Sequence, residues 1–320
     1  MDVLLLALAV GVAVALYGVM YVVCVRGAWC KSKRTLHGKT VIVTGGNTGI
    51  GKPTALDLAR RGARVILACR NKQRAEAAVC DIIKESGNNQ VVYMQLDLAS
   101  LQSVRSFAKT FLKQESRLDI LINNAGLHVQ GRTEDGLGMI FGVNHIGHFL
   151  LTHLLLERLK ECAPSRVINV SSMAYRWGHI DFDNVKTHKA LRTSSSFMQT
   201  VKAYCDSKLC NILFTRELAK GLQGTGVTCY SLHPGAINTE LSRYANPIIK
   251  ILTRPMTFLF FRNPVAGAQT TLHCALQEGI EPLSGRYFSN CAVMDVKAEA
   301  RDDATAKKLW EISERFCGLS

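Results

Sequence analysis

The chain has 320 residues, 48% of them hydrophobic and 20% charged, a globular mixture that excludes a largely disordered chain. Its 25 Gly and 7 Pro are too few for a collagen-like or low-complexity chain. The 39 Lys and Arg outnumber the 25 Asp and Glu by 14, which suits an anionic partner: nucleic acid, an anionic membrane surface or a phosphorylated ligand.

Val3 to Val25 is a run without a single charge. At about 1.5 Å per residue it spans about 35 Å, enough to cross the hydrocarbon core of a bilayer. Asp2 precedes it, and Arg26, Lys31, Lys33, Arg34 and Lys39 follow. A signal peptide has its basic residues before a shorter core, so the pattern favours a membrane anchor over 1–26 with the rest of the chain in the cytosol. A cleaved signal or monotopic insertion is the alternative. Residues 27–37 then form a basic linker and 38–320 one domain. The 11 Cys are odd in number and have no zinc-like spacing, so buried, reduced thiols are expected and no metal site.

From Gly38 onward short apolar runs alternate with helical segments. Strands are predicted over Thr40–Val43, Arg64–Ala68, Val91–Leu96, Leu118–Ile122, Arg166–Val170, Val227–Leu232 and Arg286–Phe288. Helices are predicted over Pro53–Arg61, Lys72–Glu85, Ser103–Lys113, Leu137–Lys160, Ala203–Leu222 and Val265–Gln277. The tail 301–320 reads as a solvated amphipathic helix. Such alternation implies an α/β fold, a single doubly wound parallel sheet of Rossmann type covered on both faces. Ligands of these sheets bind at the carboxyl ends of the strands.

The first strand runs into Thr44-Gly45-Gly46-Asn47-Thr48-Gly49-Ile50-Gly51 and then a helix. Glycines let the backbone approach a pyrophosphate, and a helix N-terminus offers free N–H groups and a positive dipole end. The spacing is GxxxGxG rather than GxGxxG, and a tight turn without a ligand also uses glycine. At the end of the second strand, where an Asp or Glu usually meets a free ribose 2′-hydroxyl, stand Cys69 and Arg70. Arg70 can neutralise a 2′-phosphate, which favours NADP(H) over NAD(H).

Tyr204 and Lys208 are four apart at the start of a helix and share a face. A nearby ammonium lowers the pKa of a phenol and suits it to move a proton to or from a substrate oxygen. An ordinary helix with a surface Lys has the same spacing.

Six features stand in order: Thr44–Gly51, Asn123-Asn124-Ala125-Gly126, Asn144, Ser171-Ser172, Tyr204 with Lys208, and Pro234-Gly235. In this set the chain resembles the short-chain dehydrogenase/reductase family over about residues 37–320. Residues 142–156, 163–167 and 203–209 resemble its membrane-anchored retinol dehydrogenases. Residues 274–288 and 85–89 resemble one member of that clade, for which no firm substrate is implied.

The resemblance implies roles. Tyr204 is the acid/base, Lys208 lowers its pKa and holds the nicotinamide ribose, and Ser172 stabilises the substrate oxygen. Asn144 holds a water in a relay to Lys208. Gly45, Asn47, Thr48, Gly49, Ile50 and Gly51 cradle the pyrophosphate, and Arg70 takes the 2′-phosphate. Asp97 contacts adenine, Asn123, Ala125 and Gly126 line the adenosine ribose, and Pro234, Gly235 and Thr239 hold the nicotinamide amide. Gly46 and Pro53 depart from the usual Ala and Glu, and Pro53 removes one N–H from the helix start. The 32-position gap from Ser172 to Tyr204 is long, and its Thr193–Ser196 stretch suggests a flap.

The apolar stretch Ile248–Phe261, with Phe258, Phe260 and Phe261, suggests a substrate lid or entry from the bilayer; core packing is its rival. His145, His148 and His153 share one helical segment and are expected in packing or surface roles. The cations are dispersed without a nucleic-acid-binding pattern, so no nucleic acid partner is expected. The expectation is a membrane-anchored NADP(H)-dependent oxidoreductase acting on a hydrophobic alcohol and its aldehyde or ketone, retinol/retinal first, at the endoplasmic reticulum. The alternatives are a steroid or lipid-aldehyde reductase and a non-catalytic NADP-binding scaffold. Assembly as a homodimer stays open.

Overall fold

A computed structural model describes residues 27–183, 196–237 and 261–319, with 11, 12, 15, 17, 18 and 21. Most of the expected anchor Val3–Val25, the Thr193–Ser195 part of the expected flap, Thr239 and all but the last residue of Ile248–Phe261 lie outside the described residues.

Strand β1 (Thr40–Thr44), helix α1 (Gly51–Arg60), β2 (Arg64–Cys69), α2 (Lys72–Ser86) and β3 (Val91–Gln95) form the first half. Helix α3 (Leu101–Gln114), β4 (Ile120–Asn123), α4 (Met139–Glu161), β5 (Ser165–Val170) and α5 (Ser196–Gly221) follow. Then come β6 (Val227–His233), α6 (Pro264–Leu276), β7 (Tyr287–Ser289), β8 (Ala292–Met294) and α7 (Asp303–Cys317). The sheet order is β3-β2-β1-β4-β5-β6-β7-β8. Seven strands run parallel and β8 pairs antiparallel with β7.

The β-branched strand runs are buried because helices cover both faces. On one face α1, α2 and α6 bury Leu58, Ile82 and Leu272. On the other, α3, α4, α5 and α7 bury Phe107, Phe149, Leu213 and Leu309. The chain winds outward from β1 to β3, then crosses back to β4. That reversal opens a crevice at the carboxyl ends of β1 and β4.

Several boundaries differ from the sequence expectation. Helix α1 begins at Gly51, two residues before Pro53, because Pro is tolerated in a first turn. Helix α5 begins at Ser196, seven residues before Ala203. The β7–β8 hairpin was not expected; its turn is Asn290-Cys291, both at positive φ. Helix α4 contains a π-turn over Gly142–Ile146. It is long and apolar enough to cross a membrane, but 78% of its apolar window is buried, as in a core helix. Helix α7 is amphipathic but not merely solvated: Trp310 packs edge-on against Phe149 at 4.9 Å, and Ser313 bonds His145 at 2.9 Å.

Residues of the basic 27–37 stretch bond to the body. Ala28 N–H donates to Asn290 Oδ1 at 2.7 Å, and Cys30 N–H to Gln269 Oε1 at 3.1 Å. Ser32 Oγ donates to the Leu276 carbonyl at 3.0 Å.

Candidate active site

The glycine turn sits at the mouth of the crevice. Gly45 has φ +62°, a conformation that L side chains resist, and an added Cβ would come within 3.1 Å of Ala125. At Gly51 an added Cβ would land on the Gly45 carbonyl oxygen. The loop is therefore folded tightly on itself and on the Asn124-Ala125 backbone.

Two side chains outside the expected set hold it there. Asn124 Nδ2 donates to the Thr44 carbonyl at 2.7 Å, and the Thr44 hydroxyl oxygen accepts from Asn124 N–H and Ala125 N–H, each at 2.9 Å. Helix α1 has no side-chain cap and no carboxylate in its first turn. Its leading N–H groups are thus left for a ligand, with the Pro53 donor missing. This uncapped, carboxylate-free turn fits a pyrophosphate, and the residues that would hold one are Gly45 to Gly51.

Cys69 closes β2 against the same turn. Burial pushes its thiol up to about 11, although backbone N–H groups of Asn47, Gly46 and Gly45 pull the other way. A neutral thiol therefore closes β2 against the glycine turn. Arg70 is exposed beside it and makes no ion pair among the described residues. Asp97 follows β3; its carboxylate accepts from Ala99 N–H at 3.0 Å. Asn123 is turned away from the crevice, donating from Nδ2 to Thr152 Oγ1 and to Asn169 Oδ1.

The second half of the site is built on α5. Tyr204 and Lys208 do share a face, with Nζ of Lys208 5.4 Å from the centre of the Tyr204 ring. Lys208 is only 3% exposed and donates to the Val170 carbonyl at 3.1 Å. Burial lowers its pKa to about 8. Burial also pushes the Tyr204 phenol up to about 12, while a hydrogen bond from Ser172 pulls it down. Without a ligand Tyr204 is therefore a neutral phenol at pH 7, because desolvation outweighs the lowering effect of Ser172; no effect of the Lys208 ammonium on it is resolved. The Ser172 oxygen also accepts from Ala174 N–H at 3.2 Å and so caps the short helix Met173–Trp177. Ser171 instead donates to the Lys208 carbonyl at 2.7 Å, tying α5 to the end of β5.

Asn144 lies in the π-turn of α4 and is fully buried. Its side chain is spent on protein partners: Oδ1 accepts from Leu127 N–H at 2.9 Å, and Nδ2 donates to the Leu127 carbonyl and Ser207 Oγ, both at 3.1 Å. A Cβ added to Gly126 would come 3.5 Å from Lys208 Nζ and 3.6 Å from Asn144 Oδ1. Gly126, Asn144 and Lys208 thus converge on one point beside the crevice. His128 packs edge-on against Tyr204 at 5.4 Å. Pro234-Gly235 ends β6 opposite, packed on the nearly buried Arg262: a Cβ on Gly235 would stand 2.6 Å from Arg262 Cδ. Thr239 lies outside the described residues.

Thr44, Asn124, Ser207 and His128 escaped the sequence reading. Thr44 and Asn124 lie inside quoted motifs, so their position was visible but their partners were not. His128 carries no sequence signal.

The short chain dehydrogenase family pattern matches residues 39–184. Dehydrogenase/reductase SDR family member 13 of Bos taurus is 54% identical over 315 residues, 98% of this chain and 82% of that protein. Retinol dehydrogenase 11 of Homo sapiens is 51% identical over 295 residues, 91% of this chain and 89% of that protein. Among solved structures, an uncharacterized protein from Mycobacterium paratuberculosis is similar with a TM-score of 0.72 and 32% identity, covering 91% of this chain and 98% of that one.

Proposed function

The chain belongs to the short-chain dehydrogenase/reductase family, and from that premise we propose that it is a membrane-anchored, NADP(H)-dependent oxidoreductase that interconverts a hydrophobic alcohol and its aldehyde or ketone, with retinol and retinal as the first pair to test. The observation that carries the chemistry is the Tyr204 phenol, with Ser172 near enough to lower its pKa and Lys208 Nζ 5.4 Å from its ring centre. When bound, the nicotinamide supplies or takes the hydride. The chain's own residues do the rest. A phenol held near 12 is a proton donor at neutral pH, so Tyr204 hands its proton to the oxygen of a carbonyl under reduction. Ser172 donates to that same oxygen and stabilises its developing charge. Lys208, fixed by Val170 and Ser171, holds the nicotinamide ribose, and Asn144 fixes the neighbouring backbone at Leu127.

Asn47, Thr48, Gly49 and Ile50 of the glycine turn take the pyrophosphate, Asp97 the adenine, and Ala125 and Gly126 the ribose edge. Pro234 and Gly235, with Thr239, take the nicotinamide amide. Arg70, exposed and without an ion pair among the described residues, supports the 2′-phosphate and so NADP(H). The retinoid reading rests on the relatives named retinol dehydrogenase. Anchoring over 1–26 and a cytosolic body over 38–320 rest on the charge pattern around Val3–Val25, and the endoplasmic reticulum on likeness alone.

The test is NADPH oxidation with all-trans-retinal by the full chain in detergent, beside Tyr204→Phe. Turnover should fall by about 10²- to 10⁴-fold in the variant while NADPH binding stays. Turnover that survives Tyr204→Phe would remove the acid/base assignment. Turnover of another lipid carbonyl but not of retinal would keep the chemistry and move the substrate. In Arg70→Ser, the preference for NADPH over NADH should drop about tenfold; an unchanged ratio would return the 2′-phosphate to some other residue.

A further inference from the structure

His148 lies on α4 and is 2% exposed, yet the proposed chemistry gives it nothing to do. Its two ring nitrogens bond to opposite halves of the site. Nε2 is 2.9 Å from Thr44 Oγ1, at the root of the glycine turn. Nδ1 is 3.2 Å from the carbonyl oxygen of Asn144, in the π-turn.

Bond counting assigns the protons. The Thr44 hydroxyl oxygen already accepts from the N–H groups of Asn124 and Ala125, which uses both lone pairs. Its own proton must therefore point elsewhere. The Ile122 carbonyl is 3.4 Å away and His148 Nε2 is 2.9 Å away, so the hydroxyl donates to the imidazole. Nε2 is then the lone-pair nitrogen, and Nδ1 carries the hydrogen that it donates to Asn144. A second ring proton has no acceptor here. It would also add a cation within the field of Lys208, with His145 the other titratable group facing it, in a site where burial already holds His148 neutral.

The bonds continue past Asn144. Its Nδ2 donates to Ser207 Oγ, and Ser207 donates to the Tyr204 carbonyl at 2.8 Å. Its Oδ1 and Nδ2 clamp the Leu127 peptide next to Gly126. One line of buried bonds thus runs from the glycine turn through Thr44, His148, Asn144 and Ser207 to the helical turn that carries Tyr204 and Lys208.

We propose that His148 is a positioning residue that locks the dinucleotide turn and the Tyr204–Lys208 turn into one rigid unit, so that the pyrophosphate and the nicotinamide ribose are held at a fixed separation. The proposal rests on the cofactor reading above. Asn144 is accordingly a structural corner whose side-chain donors are already used. A neutral imidazole suits the place because one nitrogen accepts and the other donates, which reaches both halves at once.

The test uses full-length His148→Phe and His148→Gln. Phe keeps the ring and removes both bonds. Gln keeps an acceptor and a donor. In His148→Phe, amide hydrogen exchange should speed up both in peptides covering 44–51 and in peptides covering 204–209. NADPH affinity, followed by its fluorescence, should weaken about tenfold. The maximal rate should fall by more than KM for the carbonyl rises, because His148 bonds to Thr44 and Asn144 and not to Ser172 or the Tyr204 phenol. His148→Gln should recover most of each change. Faster exchange in only one of the two segments, or the same loss in Gln as in Phe, would overturn the proposal, since either result means a packing role alone. If the unsubstituted chain binds no NADPH, the cofactor reading fails; the exchange measurement still decides whether His148 couples the two segments. Should His148→Phe not fold, Thr44→Val removes the same hydroxyl donor, and exchange in 204–209 left unchanged by it overturns the coupling.

Discussion

The two walls of the crevice are held together in different ways. The wall of β1, β4 and α4 is tied by short, buried bonds between Thr44, Asn124, Asn144 and His148. The wall at the end of β6 is tied by segments far apart in the chain: Arg262 runs beneath Gly235 and donates to Asn290 Oδ1 at 3.2 Å, and Asn290 accepts from Ala28, 262 positions away. The first wall is stiffened by bonds from Thr44, Asn144 and His148 whose buried groups would be costly to orphan. The second depends on whether the segment arriving from the N-terminal side is seated. Cofactor geometry should therefore be robust at the pyrophosphate and adjustable at the nicotinamide end.

The sharpest way to break this contrast is a methyl group on each wall. In Gly51→Ala the new Cβ meets the Gly45 carbonyl, which is backbone and cannot swing aside. NADPH affinity should fall about 100-fold, close to 3 kcal/mol, with a clear loss of melting temperature. In Gly235→Ala the new Cβ meets the Arg262 side chain, and the residue sits at φ +99°. Arg262 can shift, so the cost should be nearer 1–2 kcal/mol, mainly backbone strain. Calorimetry and a fluorescence titration of both variants check the order. Equal losses would mean that the second wall is as stiff as the first.

Each wall carries a histidine held neutral by desolvation, His148 and His233, with His145 on α4 lowered further, to about 3, and acid should find them. Burial lowers His148 to about 4 and His233 to about 4; the Arg262 and Arg176 cations add to the effect at His233. A folded pKa below the unfolded value of about 6.5 means that the unfolded chain takes the proton first. Stability is then flat above pH 6.5 and falls as pH drops from 6.5 toward 4, by up to about 3 kcal/mol for each group. Denaturant midpoints taken across that window should fall less steeply in His148→Gln and in His233→Gln than in the parent chain. A parallel fall in all three would remove both histidines from the acid response.

Lys208 tests the cost of the catalytic centre itself. Burial holds it at about 8 against about 10.5 in the unfolded chain. The unfolded chain holds the proton more tightly, so below pH 8 the buried ammonium costs stability, and the cost is relieved as pH rises from 8 toward 10.5. Lys208→Met should abolish turnover and yet raise stability at pH 7 by about 1–3 kcal/mol. A destabilised Met variant would mean that the bond to the Val170 carbonyl outweighs the desolvation of the charge.

How much of this was legible in the sequence differs between the walls. The parallel sheet followed from β-branched runs alternating with helical segments, because parallel neighbours require helical crossovers; its strand order came only with the structure. The glycine turn and Tyr204 with Lys208 were legible because their chemistry sits on residues close in sequence, whereas Ser172, 32 positions from Tyr204, was reached only through the family resemblance. The bond from Thr44 to His148 joins residues 104 apart, and nothing in a row of His145, His148 and His153 says which one turns toward the turn. The π-turn that carries Asn144 lies between Gly142 and Gly147, but that spacing also suits an ordinary helix and does not announce it. The β7–β8 hairpin escaped because its strands have three residues each, too short for an alternating pattern. The 27–37 stretch read as a linker by charge, since backbone bonds to Asn290, Gln269 and Leu276 leave no trace in composition.

That stretch gives the smallest expected effect and the most direct test of the second wall. Asn290 Oδ1 accepts from both Ala28 N–H and the Arg262 guanidinium, so one side chain joins the incoming segment to the support beneath Gly235. Asn290 sits at φ 54°, where Asn is tolerated better than most residues, so Asn290→Gly is the clean substitution: it removes the amide without adding strain. Loss of the two partly exposed bonds should cost about 1 kcal/mol and lower the melting temperature by about 2–4 °C. The informative reading is where the loosening goes. If Asn290 joins the two, hydrogen exchange should quicken both at residues 28–34 and at 233–237, and NADPH affinity should weaken by less than in His148→Phe. Exchange that quickens at 28–34 alone would show that Arg262 holds the Pro234-Gly235 turn by itself, through its own backbone N–H to the Ala236 carbonyl, and that the seating of the N-terminal segment does not reach the nicotinamide end.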